Sequence, residues 1–207
     1  MQYIQRNLPS STEIKKEVRF EMAYHIALYA HILGAFGLVA AITVEAISLR
    51  GLRGATQGGD ARMWLGISRG IVMRLAPGSL GLILVSGLYM MATSWGPRGW
   101  ILAALASLVL LAVVGAFGTG MRMARIGPAI GRTQGPLSHE LRIKLRDPIL
   151  LTSLLVRSAI VLAIALLMTV KPSGLASLVI IVLAIGIGLL VGQLAGRSRH
   201  EYAPAIG

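Results

Sequence analysis

Apolar residues in this chain gather into long runs separated by short polar stretches, with no strand-like alternation. Five runs, at about 23–49, 66–93, 99–121, 148–170 and 174–196, are long enough to cross a bilayer, for which about 20 apolar residues suffice. Backbone groups inside lipid are satisfied only in helices or closed barrels. The pattern therefore predicts an all-α polytopic membrane protein, a bundle of five transmembrane helices. Ahead of the first run, SSTEIKKEVRFEM at 10–22 opens with Ser10 and Glu13 at capping-box spacing. Ile14, Val18 and Met22 follow at four-residue intervals, which predicts a short amphipathic helix lying on the outer membrane surface before running into the first span. The expected division is an extracytoplasmic segment 1–22, a bundle 23–197 and a cytoplasmic tail 198–207. The first run is expected to be retained, because a polar segment precedes it and it is too long for a signal peptide.

The connections read as turns and loops. GLRGATQGGD at 51–60 predicts a flexible link, and SWGPRGW at 94–100 a tight turn whose Trp95 and Trp100 mark the outer boundary. The loop 124–147 predicts a short surface helix in its second half. Pro77 is expected to kink the second span. Gly188, Gly192 and Gly196 form a small-residue face on the last span, suited to close packing within the chain, to a homo-oligomer or to a partner subunit. Gly70, Arg74, Gly78 and Gly81 share a stripe, which predicts that Arg74 faces neighbouring helices.

Charge adds orientation. Hydrophobic residues make up 55% of the 207 and charged ones 14%, with a formal net charge of +12. Arg50, Arg53 and Arg62 follow span one. Arg122, Arg125, Arg132, Arg142, Lys144 and Arg146 follow span three, and Arg197 and Arg199 end the chain. The other two loops hold only Arg98 and Lys171. This alternation predicts N-terminus out and C-terminus in, at the cell (plasma or inner) membrane. Arg6, Lys15, Lys16 and Arg19 in the leading segment are offset by Glu13, Glu17 and Glu21. The basic loops point to anionic lipid headgroups as partners, not nucleic acid. With no cysteine, disulfides and thiolate chemistry are excluded.

His31 is the one histidine well inside a span, and intramembrane ionisable groups mark candidate sites. Gly34, Ala35, Leu38, Ile42 and Glu45 share its stripe, which suits a face packed on protein or a flat ligand. It could ligate b-type haem, or copper together with Met90, Met91 or Met168; it could equally hydrogen-bond a carbonyl or serine across a helix contact. Arg157, about 14 Å into span four by helical rise, needs a partner. Either Glu45 pairs with Arg74 or Arg157, or the two arginines hold an anion such as haem propionates or a lipid phosphate. The depth estimate puts His31 and Arg157 at similar height. No hydrolase, phosphate-loop or nucleophile motif is present, so no reaction is assigned. A cofactor-free accessory subunit is the remaining class.

AHILGAFG at 30–37, RLAPGSLGLILVSGLYMM at 74–91 and the GPRGW turn together resemble a family of uncharacterised integral membrane proteins. That family is distantly similar to the HemJ-type protoporphyrinogen oxidases and the CopD-type copper-resistance proteins. The resemblance covers about three spans and implies association with haem or copper, with His31 matching a first-span histidine. The functional lysine and the tryptophan of HemJ-type proteins have no counterpart here.

Overall fold

The computed structural model describes residues 10–197, with side-chain surroundings up to residue 195. The tail 198–207 and residues 1–9 lie outside the described residues, as do the surroundings of Gly196. Five helical passages, Ser11–Gly54, Gly58–Trp95, Gly99–Arg132, His139–Val170 and Gly174–Ala195, are long and apolar enough to cross a membrane. Large apolar side chains such as Phe36, Val85, Leu162 and Leu175 are exposed around the bundle, as expected where the solvent is lipid. The described residues are all-α, and their five long apolar passages fit a multi-pass membrane protein.

Helix α1 spans Ser11–Gly54, with Ser10 and Glu13 forming the capping box reciprocally. The expected amphipathic helix runs into the first span without a break, because neither proline nor glycine interrupts residues 11–33. At about 1.5 Å per residue, the 44 residues of α1 extend about 66 Å.

The second passage is α2 (Gly58–Ile67), a π-helical segment Ser68–Val72, α3 (Met73–Met90) and a second π segment Met91–Trp95. Pro77 sits in the first turns of α3. The π segment just ahead absorbs the widened turn expected where a proline ring presses on the carbonyl four residues back. The third passage is α4 (Gly99–Val114), a glycine-rich π segment Gly115–Gly120 and α5 (Met121–Arg132). A short helix α6 (His139–Leu145) precedes α7 (Pro148–Val170), which Asp147 caps through Ile149 N–H at 2.9 Å. Helix α8 (Gly174–Arg197) ends the fold.

Two pairings organise the bundle. Helix α1 packs on α3, and α7 packs on α8 while also touching α1 and α4. Glycines permit both. A Cβ on Gly34 would lie 2.9 Å from Ile83 Cγ1, and one on Gly37 would overlap Ser79 Oγ. A Cβ on Gly188 would meet Val156 Cα at 2.7 Å, and one on Gly192 would meet Thr152 Oγ1 at 2.6 Å. The glycine face of α8 is therefore used within the chain.

Each end is tied separately. At the tryptophan end, Trp95 Nε1–H donates to Tyr24 Oη at 3.3 Å, and Lys171 Nζ lies 4.2 Å from the Trp95 ring centroid. At the arginine end the two supposed loops are a packed subdomain. Leu52, Ala61, Leu65, Ile126, Ile130 and Leu145 form one cluster joining α1, α2, α5 and α6. Leu137 N–H donates to Thr56 O and Gly58 N–H to Gly135 O, zipping the two connections together. The expected flexible link is instead a short pinned connection: Ala55 is buried in the cluster, the Thr56 carbonyl accepts from Leu137, and Gln57 bridges to Pro136.

Candidate functional site

His31 lies on the α1–α3 seam. Its Nδ1 is 3.2 Å from Ile83 O and 3.2 Å from Ser86 Oγ. A carbonyl can only accept, so Nδ1 carries the proton, and Ser86 Oγ is free to accept because its own hydrogen goes to Leu82 O. The ring rests on Gly87, where a Cβ would come within 3.3 Å of Cε1. The structure thus shows His31 bonding both a carbonyl and a serine across the helix contact. Its Nε2 keeps a lone pair and has no hydrogen bond among the described residues.

The haem set expected around His31 is not brought together. Glu45, which holds Arg157, is 14 residues further along α1, or about 21 Å by helical rise. Arg74 is 12 residues from Ser86 along α3, or about 18 Å. Both arginines sit towards the arginine end, farther from His31 than a haem iron is from its own propionates. The small residues beside His31 leave no slot for a macrocycle on this seam, because α3 fills the space over Gly34 and Gly37. Arg74 is exposed, and Gly70, Gly78 and Gly81 have nothing within 4 Å of a Cβ. That stripe faces outward, since α3 turns Ser79, Ile83, Ser86 and Met90 inward instead.

Met90 is buried on α3 one turn beyond Gly87, and Met91 is half-buried. Met168 packs with Ala103, Leu167 and Ile181 between α4, α7 and α8, away from His31. No group of three or more His, Cys, Asp or Glu side chains able to hold a metal occurs among the described residues.

The bundle's other polar centre is a buried network. Arg157 forks onto Glu45, with Nη1–H donating to Oε2 at 2.9 Å and Nη2–H to Oε1. Nη2 also donates to Thr119 Oγ1 at 3.1 Å, and Nε to Ser153 O at 3.4 Å. Ser153 Oγ in turn donates to Val114 O, a carbonyl at the edge of the π segment. Glu45 and Arg157 are 5% and 7% exposed, and a pair so deep is stable only when its remaining hydrogen-bonding groups are satisfied. The glycines of GAFGTG make the space: a Cβ on Gly115 would sit 3.3 Å from Arg157 Nη1, and one on Gly118 would overlap Ser153 Oγ. Thr119 and Ser153 were not among the site residues expected from the sequence. Their signal was a threonine inside a glycine-rich run and a serine one turn before a buried arginine.

Beside this network, a groove of about 2110 Å3 opens along α1, α4, α7 and α8. Leu49, Phe117, Leu154 and Leu189 wall it, and Arg50, Arg53, Lys144 and Arg146 stand at its mouth. Arg53 Nη2–H donates to Arg146 O at 3.1 Å and Arg146 Nε–H to Arg53 O at 3.5 Å, so each guanidinium reaches the other residue's backbone carbonyl. The one acid of the lining, Asp147, is engaged by Arg122 and by the α7 N-terminus. Lys144 pairs with exposed Glu140 at 2.6 Å, which holds the Glu140 carboxyl below the usual range through hydrogen bonding and charge.

Compared with protein-family models, with curated proteins and with solved structures, the chain matches none.

Proposed function

We propose that this multi-pass protein binds an anionic phospholipid from the cytoplasmic leaflet of the cell membrane. The observation carrying this reading is the groove itself, aliphatic along its length and cationic at its mouth, with its only acid already engaged. A lateral groove within the bilayer is filled by acyl chains, and clustered arginines favour a phosphate over a zwitterionic headgroup. The acyl chains lie along Leu49, Phe117, Leu154 and Leu189, and the phosphate between Arg50, Arg53 and Arg146. Native mass spectrometry of protein released from nanodiscs of mixed phosphatidylglycerol and phosphatidylcholine tests it. Phosphatidylglycerol is expected to be retained at least fivefold over its share, and R50Q/R53Q/R146Q to abolish the preference. Equal retention of both lipids, or an unchanged preference in the triple variant, overturns the reading.

A second reading rests on His31. A metal-bound imidazole commonly donates its other N–H to a carbonyl, as Nδ1 does to Ile83 O. Nε2 with the thioether of Met90 is a soft pair suited to Cu(I). Metal analysis after anaerobic Cu(I) loading, with H31A as control, decides it: bound copper lost in the variant supports it, and copper-free protein sinks it.

A further inference from the structure

Helix α1 does not stop at the membrane. Tyr24 is level with Trp95 and Lys171, an aromatic and cationic group of the kind that sits at the headgroup boundary. Ser11 lies 13 residues beyond Tyr24, about 20 Å by helical rise. The headgroup layer on one side is only about 5–8 Å thick, so the first turns of α1 stand in water. On those turns Ile14 and Val18 are 48% and 49% exposed, and Met22, at headgroup level two residues before Tyr24, is 59% exposed. A stripe of this kind in water calls for a cover. It runs on without interruption into the exposed Ile26, Tyr29, Leu33 and Phe36 of the span.

The flanks of the stripe say what covers it. At about 100° per residue, Lys15 and Arg19 fall on one side of the Ile14–Val18–Met22 line, and Glu17 and Glu21 on the other. Among the described residues, no side-chain hydrogen bond or ion pair engages any of these four charges. We infer that the stripe is the contact between two copies of this chain, α1 against α1, in parallel. Copies inserted the same way necessarily present α1 in parallel. Two-fold symmetry about an axis along the helices then sets the basic flank of each copy against the acidic flank of the other, as at the edges of a parallel coiled coil. An antiparallel pair would set like charges together. The glycine face of α8 is not available for this contact, since Val156 and Thr152 fill it.

The chain has no cysteine, so single cysteines report without background. In membranes containing the full-length protein, V18C is expected to form a disulfide-linked dimer under mild oxidation at least tenfold more than K16C on the opposite side. E17K/E21K should lower V18C cross-linking at least fivefold, and adding K15E/R19E should restore it. Native mass spectrometry should show a two-copy mass that E17K/E21K shifts to one copy. Equal cross-linking at residues 16 and 18, a monomeric mass for the unaltered chain, or no rescue by the charge swap overturns the inference.

Discussion

Arg157 shows how a single side chain can fix the interior of a bundle. Its guanidinium joins α1 through Glu45, the π segment through Thr119 and its own helix through Ser153. Replacing one partner leaves the other charge buried alone, which costs about 3–5 kcal/mol, whereas replacing both with apolar residues of similar volume is often neutral. R157L is accordingly expected to unfold in detergent at markedly lower temperature than the parent, and E45L/R157L to recover most of that loss. Recovery absent in the double variant would mean the pair acts through something other than its own charge balance. The sequence offered Glu45 two arginines, Arg74 and Arg157. It could not choose, because glycine spacing around Arg74 says that a backbone is bare and not which side a neighbour stands on. For His31, a carbonyl partner leaves no trace in residue identity, although a serine across a helix contact was within reach of the sequence.

Among the elements, the passages were legible because lipid imposes one simple requirement, length of apolar run. The arginine-end subdomain was not. Its core positions lie in short helices diluted with arginine and glycine, so Ala61, Ile130 and Leu145 are buried in segments whose composition reads as loop. Gly51 is a case in point: it stands where a Cβ would fall 2.2 Å from the Trp64 ring, so a residue that looked like a flexible hinge is a contact surface. L145A should cost about 2–5 kcal/mol, as core truncations do. Hydrogen exchange checks the packing directly. The amides of Gly58 and Leu137, which donate across the two connections, are expected to be protected, and to lose protection together in L145A. Fast exchange at both in the parent chain would contradict a closed subdomain.

For the molecule as a whole, charge is segregated: a cationic mouth at one end, and a cation-bearing aromatic knot with a helix carrying both signs at the other. Association at the mouth is expected to be steeply salt-sensitive. The screening length falls from about 30 Å at 0.01 M to about 3 Å at 1 M, so the preference for phosphatidylglycerol should shrink several-fold over that range; a salt-independent preference would point to acyl-chain fit alone. Acid acts in the opposite sense to salt. Because Lys144 holds Glu140 ionised below the usual carboxylate range, the charge that protonating Glu140 adds beside the mouth arrives only when the pH falls through that lowered value. Binding of a phosphate that remains ionised should tighten there.

Helix α1 passes through every one of these regions. It carries the stripe beyond the membrane, His31, Glu45 and then Arg50 and Arg53, with no proline and no π segment anywhere between Ser11 and Gly54. It is a shaft without a joint. The stripe at Ile14 and the arginines at the mouth of the groove therefore belong to one unbroken element, whose rotation is set by its packing on α3 and by the Glu45–Arg157 pair.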